Sequence, residues 1–118
     1  MTPTIVLREG KLYLVLGSPG GPTIINTVLQ ALLCIKDFGM TVQEAVDAPR
    51  VHHQWMPDKL ILEQTGIPAD VQEALRSRGH TLDFRRKIGD CQAIMVDPKS
   101  GVRLGAADPR NDGKASGY

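Results

Sequence analysis

Aromatic residues are scarce in this chain, at 4% of its 118 residues, and neither sign of charge dominates: 14 Lys and Arg stand against 13 Asp and Glu, a net charge of +1. A general nucleic-acid surface needs a basic stripe or a row of stacking platforms, so binding of that kind has no support. Cysteine is limited to Cys34 and Cys91, with no Cys-x-x-Cys and no metal-like spacing. That argues against a zinc module, and both read as buried free thiols rather than a disulfide. The one long apolar run, residues 24–35, is too short and too interrupted to span a bilayer, and no secretory leader precedes Thr2. A soluble chain without membrane contact is expected. With 42% hydrophobic residues it has the means to build the core of one domain, or of part of one.

The chain is organised around an apolar strand, the turn Gly17-Ser18-Pro19-Gly20-Gly21-Pro22 and a long apolar helix. Ile24, Val28 and Leu32 recur at four-residue steps, with Ile25, Leu29 and Leu33 alongside and Thr23, Asn26, Thr27 and Gln30 elsewhere, which predicts a core helix over residues 22–38. Pro22 suits its first position and Gly39 its end. A strand-turn-helix of this kind leaves backbone N–H groups free at a helix N-terminus, where an anion or a developing oxyanion is favoured. The bland reading of Gly20-Gly21 is a turn whose backbone angles only glycine adopts freely. A phosphate-binding loop is excluded by the lack of Lys at the helix start, and the spacing of Gly17, Gly20 and Gly21 misses the dinucleotide fingerprint. Leu16 stands where a nucleophile elbow around Ser18 needs glycine.

Residues 4–7 and 11–16 read as a hairpin about Arg8-Glu9-Gly10, the second strand apolar on both faces. Thr41 and Glu44 form a capping box opening a short helix to Ala48, which Pro49 ends. Residues 50–58 read as extended or irregular, so adjacent His52 and His53 point to opposite sides and do not share a metal. A strand at 60–63, a helix from Ile67-Pro68-Ala69-Asp70 to Gly79 and a strand at 81–84 follow. Arg85-Arg86-Lys87 is a solvated basic loop or an anion grip. Residues 91–96 and 102–107 form a second hairpin, and 108–118 a polar tail or surface wrap. The class is α+β with a largely antiparallel sheet. The chain offers no convincing nucleophile, no close Ser/His/Asp arrangement and no paired carboxylates, and so looks like the supporting half of a site.

Gly17-Ser18-Pro19-Gly20-Gly21, Ala45-Val46-Asp47-Ala48-Pro49-Arg50 with His52-His53-Gln54-Trp55 and Pro57, Gln92-Ala93-Ile94-Met95-Val96, Ala107-Asp108-Pro109-Arg110 and the final Gly117-Tyr118 resemble the C-terminal part of γ-glutamyltransferases (γ-glutamyltranspeptidases, glutathione hydrolases). The likeness runs in unbroken order from about Thr2 to Tyr118. It implies that residues 1–118 are a single partial domain, the later portion of the small subunit of an N-terminal nucleophile hydrolase with an αββα sandwich. The implied partners are the rest of that subunit, the large subunit and a γ-glutamyl substrate of the glutathione class. No cofactor is implied, and the implied location is periplasmic or secreted.

Carried over by residue, the resemblance gives Gly20 and Gly21 as the oxyanion-hole and substrate-contacting glycines, with Ser18 and Pro19 shaping their turn. The family's nucleophilic Thr, its Ser-Ser pair and its Asn, Gln and Asp substrate contacts fall before the position of Met1, and its carboxylate-binding Arg lies on the large subunit. Thr2 matches a non-catalytic run. The alternative is a truncated, non-catalytic module that associates through its exposed sheet. In either case the isolated chain is expected to form a homo-oligomer.

Overall fold

Glu9 and Gly10 both take positive φ, 53° and 76°, as a two-residue hairpin loop requires if its twist is to match that of the strands it joins. The computed structural model describes residues 3–117, so Thr2 and Tyr118 of the sequence reading lie outside the described residues. Its elements are β1 (Thr4–Arg8), β2 (Lys11–Gly17), α1 (Thr23–Lys36), α2 (Val42–Asp47), β3 (Val51–His52), β4 (Leu60–Glu63), α3 (Ala69–Ser77), β5 (Leu82–Arg85), β6 (Gln92–Val96) and β7 (Arg103–Ala106). They fall into two units. One comprises the chain up to Asp47 and from Gly89 onward; the other is Ala48–Ile88.

In the first unit the two hairpins join as one antiparallel sheet of order β1-β2-β6-β7. The register pairs Leu16 with Ala93 and Ala93 with Ala106, which places these residues and Leu14 on one face. Against that face pack Ala31 and Ile35 of α1 and Val42, Ala45 and Val46 of α2. Leu14 and Leu16 are fully buried, each such side chain contributing roughly 1.5–3 kcal/mol by leaving water. Val15 and Ile94 pair on the opposite face.

The packing of α1 corrects the sequence reading. Its buried seam is Thr27, Ala31 and Ile35, while Ile25 is 74% exposed and Leu29 also faces solvent. Thr27 and Ala31 are small residues one turn apart, and they let the helix backbone come close; Val28 and Leu32 pack at the margin of the core as expected, and only the Ile25–Leu29 stripe is left outward. Pro22 stands at the N-cap rather than inside the helix. The capping box of α2 is complete: Thr41 N–H donates to Glu44 Oε2 at 2.8 Å, and Glu44 N–H to Thr41 Oγ1 at 3.2 Å.

The second unit is a three-stranded sheet of order β3-β4-β5. Part of the stretch read as extended or irregular is strand, in keeping with the extended alternative: Val51 and His52 pair antiparallel with Leu62 and Ile61. β5 runs parallel to β4, with α3 as the crossover that a parallel pair requires. Arg50 and Glu63 are buried together. Glu63 carboxylate oxygens accept the N–H groups of Arg50 (3.0 Å) and Ile88 (2.8 Å), and Arg50 Nη1 donates to the Ile88 carbonyl at 2.8 Å. His52 and His53 bond to different partners, Gln54 Oε1 and Asp58 Oδ1.

Candidate functional site

β2 delivers the chain to the glycine turn and α1 leads it away. Gly20 has φ +136° and Gly21 φ +57°, both in the region that glycine occupies at no steric cost. A Cβ on Gly20 would also stand 2.5 Å from Thr23 Oγ1, whereas one on Gly21 would meet nothing within 4 Å. Both glycines are exposed; Gly21 borders open space, while Gly20 has the Thr23 side chain against it.

The first N–H groups of α1 turn back onto this loop. Thr23 N–H donates to the Gly20 carbonyl at 3.2 Å, Ile24 N–H donates to that of Gly21 at 3.1 Å, and the Thr23 hydroxyl adds a bond to the Gly20 carbonyl at 2.9 Å. Gly20 and Gly21 bring two further N–H donors to the same turn. Among the described residues, neither Gly20 N–H nor Gly21 N–H has a hydrogen-bond acceptor. The positive end of α1 adds to the pull of these two donors on negative charge. A site of this kind can hold an anion or stabilise a developing oxyanion.

Ser18 and Pro19 sit just before the glycines. The Ser18 hydroxyl has no exposed surface; it donates to the Pro19 carbonyl at 2.6 Å and accepts the Asp90 N–H at 2.9 Å. Gly89, Asp90 and Thr27, which the sequence reading did not single out, lie under the turn with Ser18. The cue for them was Gly89-Asp90 breaking the chain just before β6, a pair that a local reading passes over as loop. Further along, Asp108, the first residue of the stretch read as a polar tail or surface wrap, is fully buried and accepts Cys91 N–H, so that stretch is anchored at its start. Cys91 is buried as expected but Cys34 is only half-buried, and the two are not joined in a disulfide. Among the described residues no three His, Cys, Asp or Glu side chains gather as metal ligands would.

The sequence model of the gamma-glutamyltranspeptidase family matches residues 1–118. The chain belongs to the γ-glutamyltranspeptidase family. A glutathione hydrolase proenzyme of Escherichia coli is 46% identical over 119 residues, covering all of this chain and 20% of that protein. The crystal structure of the T380A mutant of Helicobacter pylori gamma-glutamyltranspeptidase superposes with a TM-score of 0.90 at 48% identity, over 94% of this chain and 61% of that one. The gamma-glutamyltranspeptidase of Pseudomonas nitroreducens, complexed with L-DON, gives 0.91 at 36% identity over 100% and 62%.

The chain spans about a fifth of the length of the curated Escherichia coli relative. Its α+β fold, with a largely antiparallel sheet and helices packed on it, is the N-terminal nucleophile hydrolase architecture of these neighbours. No helix among the described residues is long and apolar enough to cross a membrane.

Proposed function

We propose that this chain is the later portion of the small subunit of a γ-glutamyltransferase or glutathione hydrolase, and that Gly20 and Gly21 supply its oxyanion hole. One observation carries the reading: two glycine N–H groups, unspent at the N-terminus of α1, on a turn whose backbone angles suit glycine. Attack on a γ-glutamyl amide carbonyl moves negative charge onto its oxygen. Two aligned N–H donors stabilise that charge more than they stabilise the neutral carbonyl, which lowers the barrier rather than merely tightening binding. The attacking Thr, the α-carboxylate clamps and the leaving-group chemistry come from other parts of the enzyme. Collapse of the tetrahedral species expels the amine and leaves an acyl-enzyme, which water or an amino acid or peptide acceptor resolves.

The remainder of the small subunit and the large subunit are the partners on this reading, and an exported location follows from the family. On this reading residues 1–118 alone should show no turnover of a γ-glutamyl anilide, and saturable release of the aniline would place the attacking Thr within them. In the complete enzyme, Gly21→Val grows a side chain into the open space where the oxyanion would sit and strains φ. Loss of an oxyanion donor costs about 3 kcal/mol, on the order of a hundredfold in kcat, with KM little changed. A change in KM alone would show that the turn binds substrate without stabilising the transition state.

A further inference from the structure

The peptide plane that carries the Gly20 N–H is held from below. Pro19 C=O and Gly20 N–H belong to one rigid planar unit, so whatever fixes the carbonyl also aims the N–H. The Ser18 hydroxyl does this, donating to the Pro19 carbonyl at 2.6 Å. Its own position is set by a bond from the loop before β6, Asp90 N–H to Ser18 Oγ at 2.9 Å, and with no exposed surface at Ser18 solvent does not replace that partner.

Gly89 completes the arrangement. Its Cα lies 3.7 Å from where a Cβ on Gly20 would stand. A Cβ on Gly89 itself, at φ +68°, would fall 2.4 Å from Thr27 Oγ1 and 3.0 Å from Ser18 Oγ. No side chain fits between the turn, α1 and this segment. The close approach bears on Gly20 and Ser18 directly, and the Asp90 hydrogen bond reaches the same peptide through Ser18.

We infer that the Gly89-Asp90 segment is a positioning element of the oxyanion turn, acting through Ser18 to aim the Gly20 N–H. It rests on the oxyanion reading of Gly20 and Gly21. Neither Gly89 nor Ser18 touches the reacting atoms; each sets where a donor points.

The test uses the complete enzyme with Gly89→Ala, Ser18→Ala, Gly21→Val and, as a control for backbone strain alone, Gly79→Ala. Gly79 has φ +91° and open space around its Cβ, so its variant keeps wild-type kcat. Rates are taken per active site, titrated with an acylating inhibitor, and affinity is measured for a γ-glutamyl boronate that closes to a tetrahedral anion. A misplacement near 1 Å costs on the order of a hundredfold, so Gly89→Ala should lower kcat per site about a hundredfold and Ser18→Ala about tenfold. KM should stay within about twofold while boronate affinity falls with kcat, since only binding that strengthens in the transition state is lost.

If both variants merely yield fewer titratable sites, each turning over at the wild-type rate, their role is structural and the inference is wrong. Should Gly89→Ala fail to fold, Ser18→Ala decides by the same criterion. A fall in kcat for Gly21→Val without one for Ser18→Ala or Gly89→Ala overturns the positioning role and leaves the oxyanion hole standing. An unchanged kcat in Gly21→Val removes the oxyanion reading itself, and the positioning role with it.

Discussion

Asp108 Oδ2 accepts the backbone N–H of Cys91 at 2.6 Å and so ties the start of the tail to the start of β6. The other carboxylate oxygen meets Arg110 Nη1 at 3.1 Å, and that same nitrogen donates to the Val46 carbonyl at the end of α2 at 2.9 Å. Asp108 is fully buried and the Arg110 side chain nearly so. Breaking such a pair leaves a charge without compensation. Asp108→Ala should therefore cost about 3 kcal/mol, read as a lower denaturant midpoint, while Asp108→Ala with Arg110→Met should cost less than the single change. A double variant as unstable as the sum of the two singles would show that the two residues do not act as a pair.

Thr27 gives a prediction of the opposite sign. Its hydroxyl is buried on the seam of α1 and has no hydrogen-bond partner among the described residues. An unsatisfied buried hydroxyl costs about 1–3 kcal/mol, so the isosteric Thr27→Val should stabilise the fold by about 1 kcal/mol in a thermal or chemical melt. A loss of stability of that size would mean the hydroxyl holds a partner.

The capping box makes the fold sensitive to acid. The Thr41 backbone N–H, and after it the Thr41 hydroxyl, hold the Glu44 carboxyl below its ordinary value of 4.5. A carboxylate whose folded pKa is depressed contributes stability that is fully present above the unfolded value and is lost as pH falls through the folded one. The α2 cap should hold at neutral pH and loosen below 4.5, and Glu44→Gln should flatten that dependence. Carboxyl titration by NMR checks it: a Glu44 midpoint at or above 4.5 contradicts the cap. Asp97 behaves alike, its carboxyl lowered first by the Ser100 hydroxyl and then by Lys99 N–H.

These elements differ in how far they could be read from sequence. Thr41 and Glu44 are three residues apart and carry their whole interaction locally, so the pattern alone announces the cap. The Glu9-Gly10 loop is legible for the same reason. The buried face of α1 is not, because Thr27 and Ala31 face inward only through the tertiary approach of the sheet and of Gly89. Likewise nothing near Asp108 says that it will meet Cys91, and nothing near Leu60 says that its neighbour will be the parallel Leu82. The glycine turn was found as a pattern; the segment beneath it was not, because its contacts with Ser18 cross most of the chain.

The last prediction concerns residues 1–118 produced alone. β1 lies at an edge of its sheet, so one side of its backbone is unpaired, and Ile5 and Leu7 on it are 64% and 61% exposed. Ile25 and Leu29 add an outward apolar stripe on α1. Tyr13 and Val15, the other surface named from sequence, are half-buried, and Val15 borders a groove that tail residues 114–117 also line. A Cβ on neighbouring Gly105 would approach Ala115 Cβ to 3.1 Å, so the tail lies close over this part of the sheet. The β1 edge is therefore the better pairing surface. An unpaired strand edge with exposed large apolar side chains invites another copy, and a two-fold pair through it is the simplest closed form. Light scattering at micromolar concentration should report a dimer or larger species, and Ile5→Lys with Leu7→Lys should shift it toward monomer. A wild-type segment that stays a soluble monomer would mean that it closes its own core, and that its apolar edge is no pairing surface at all.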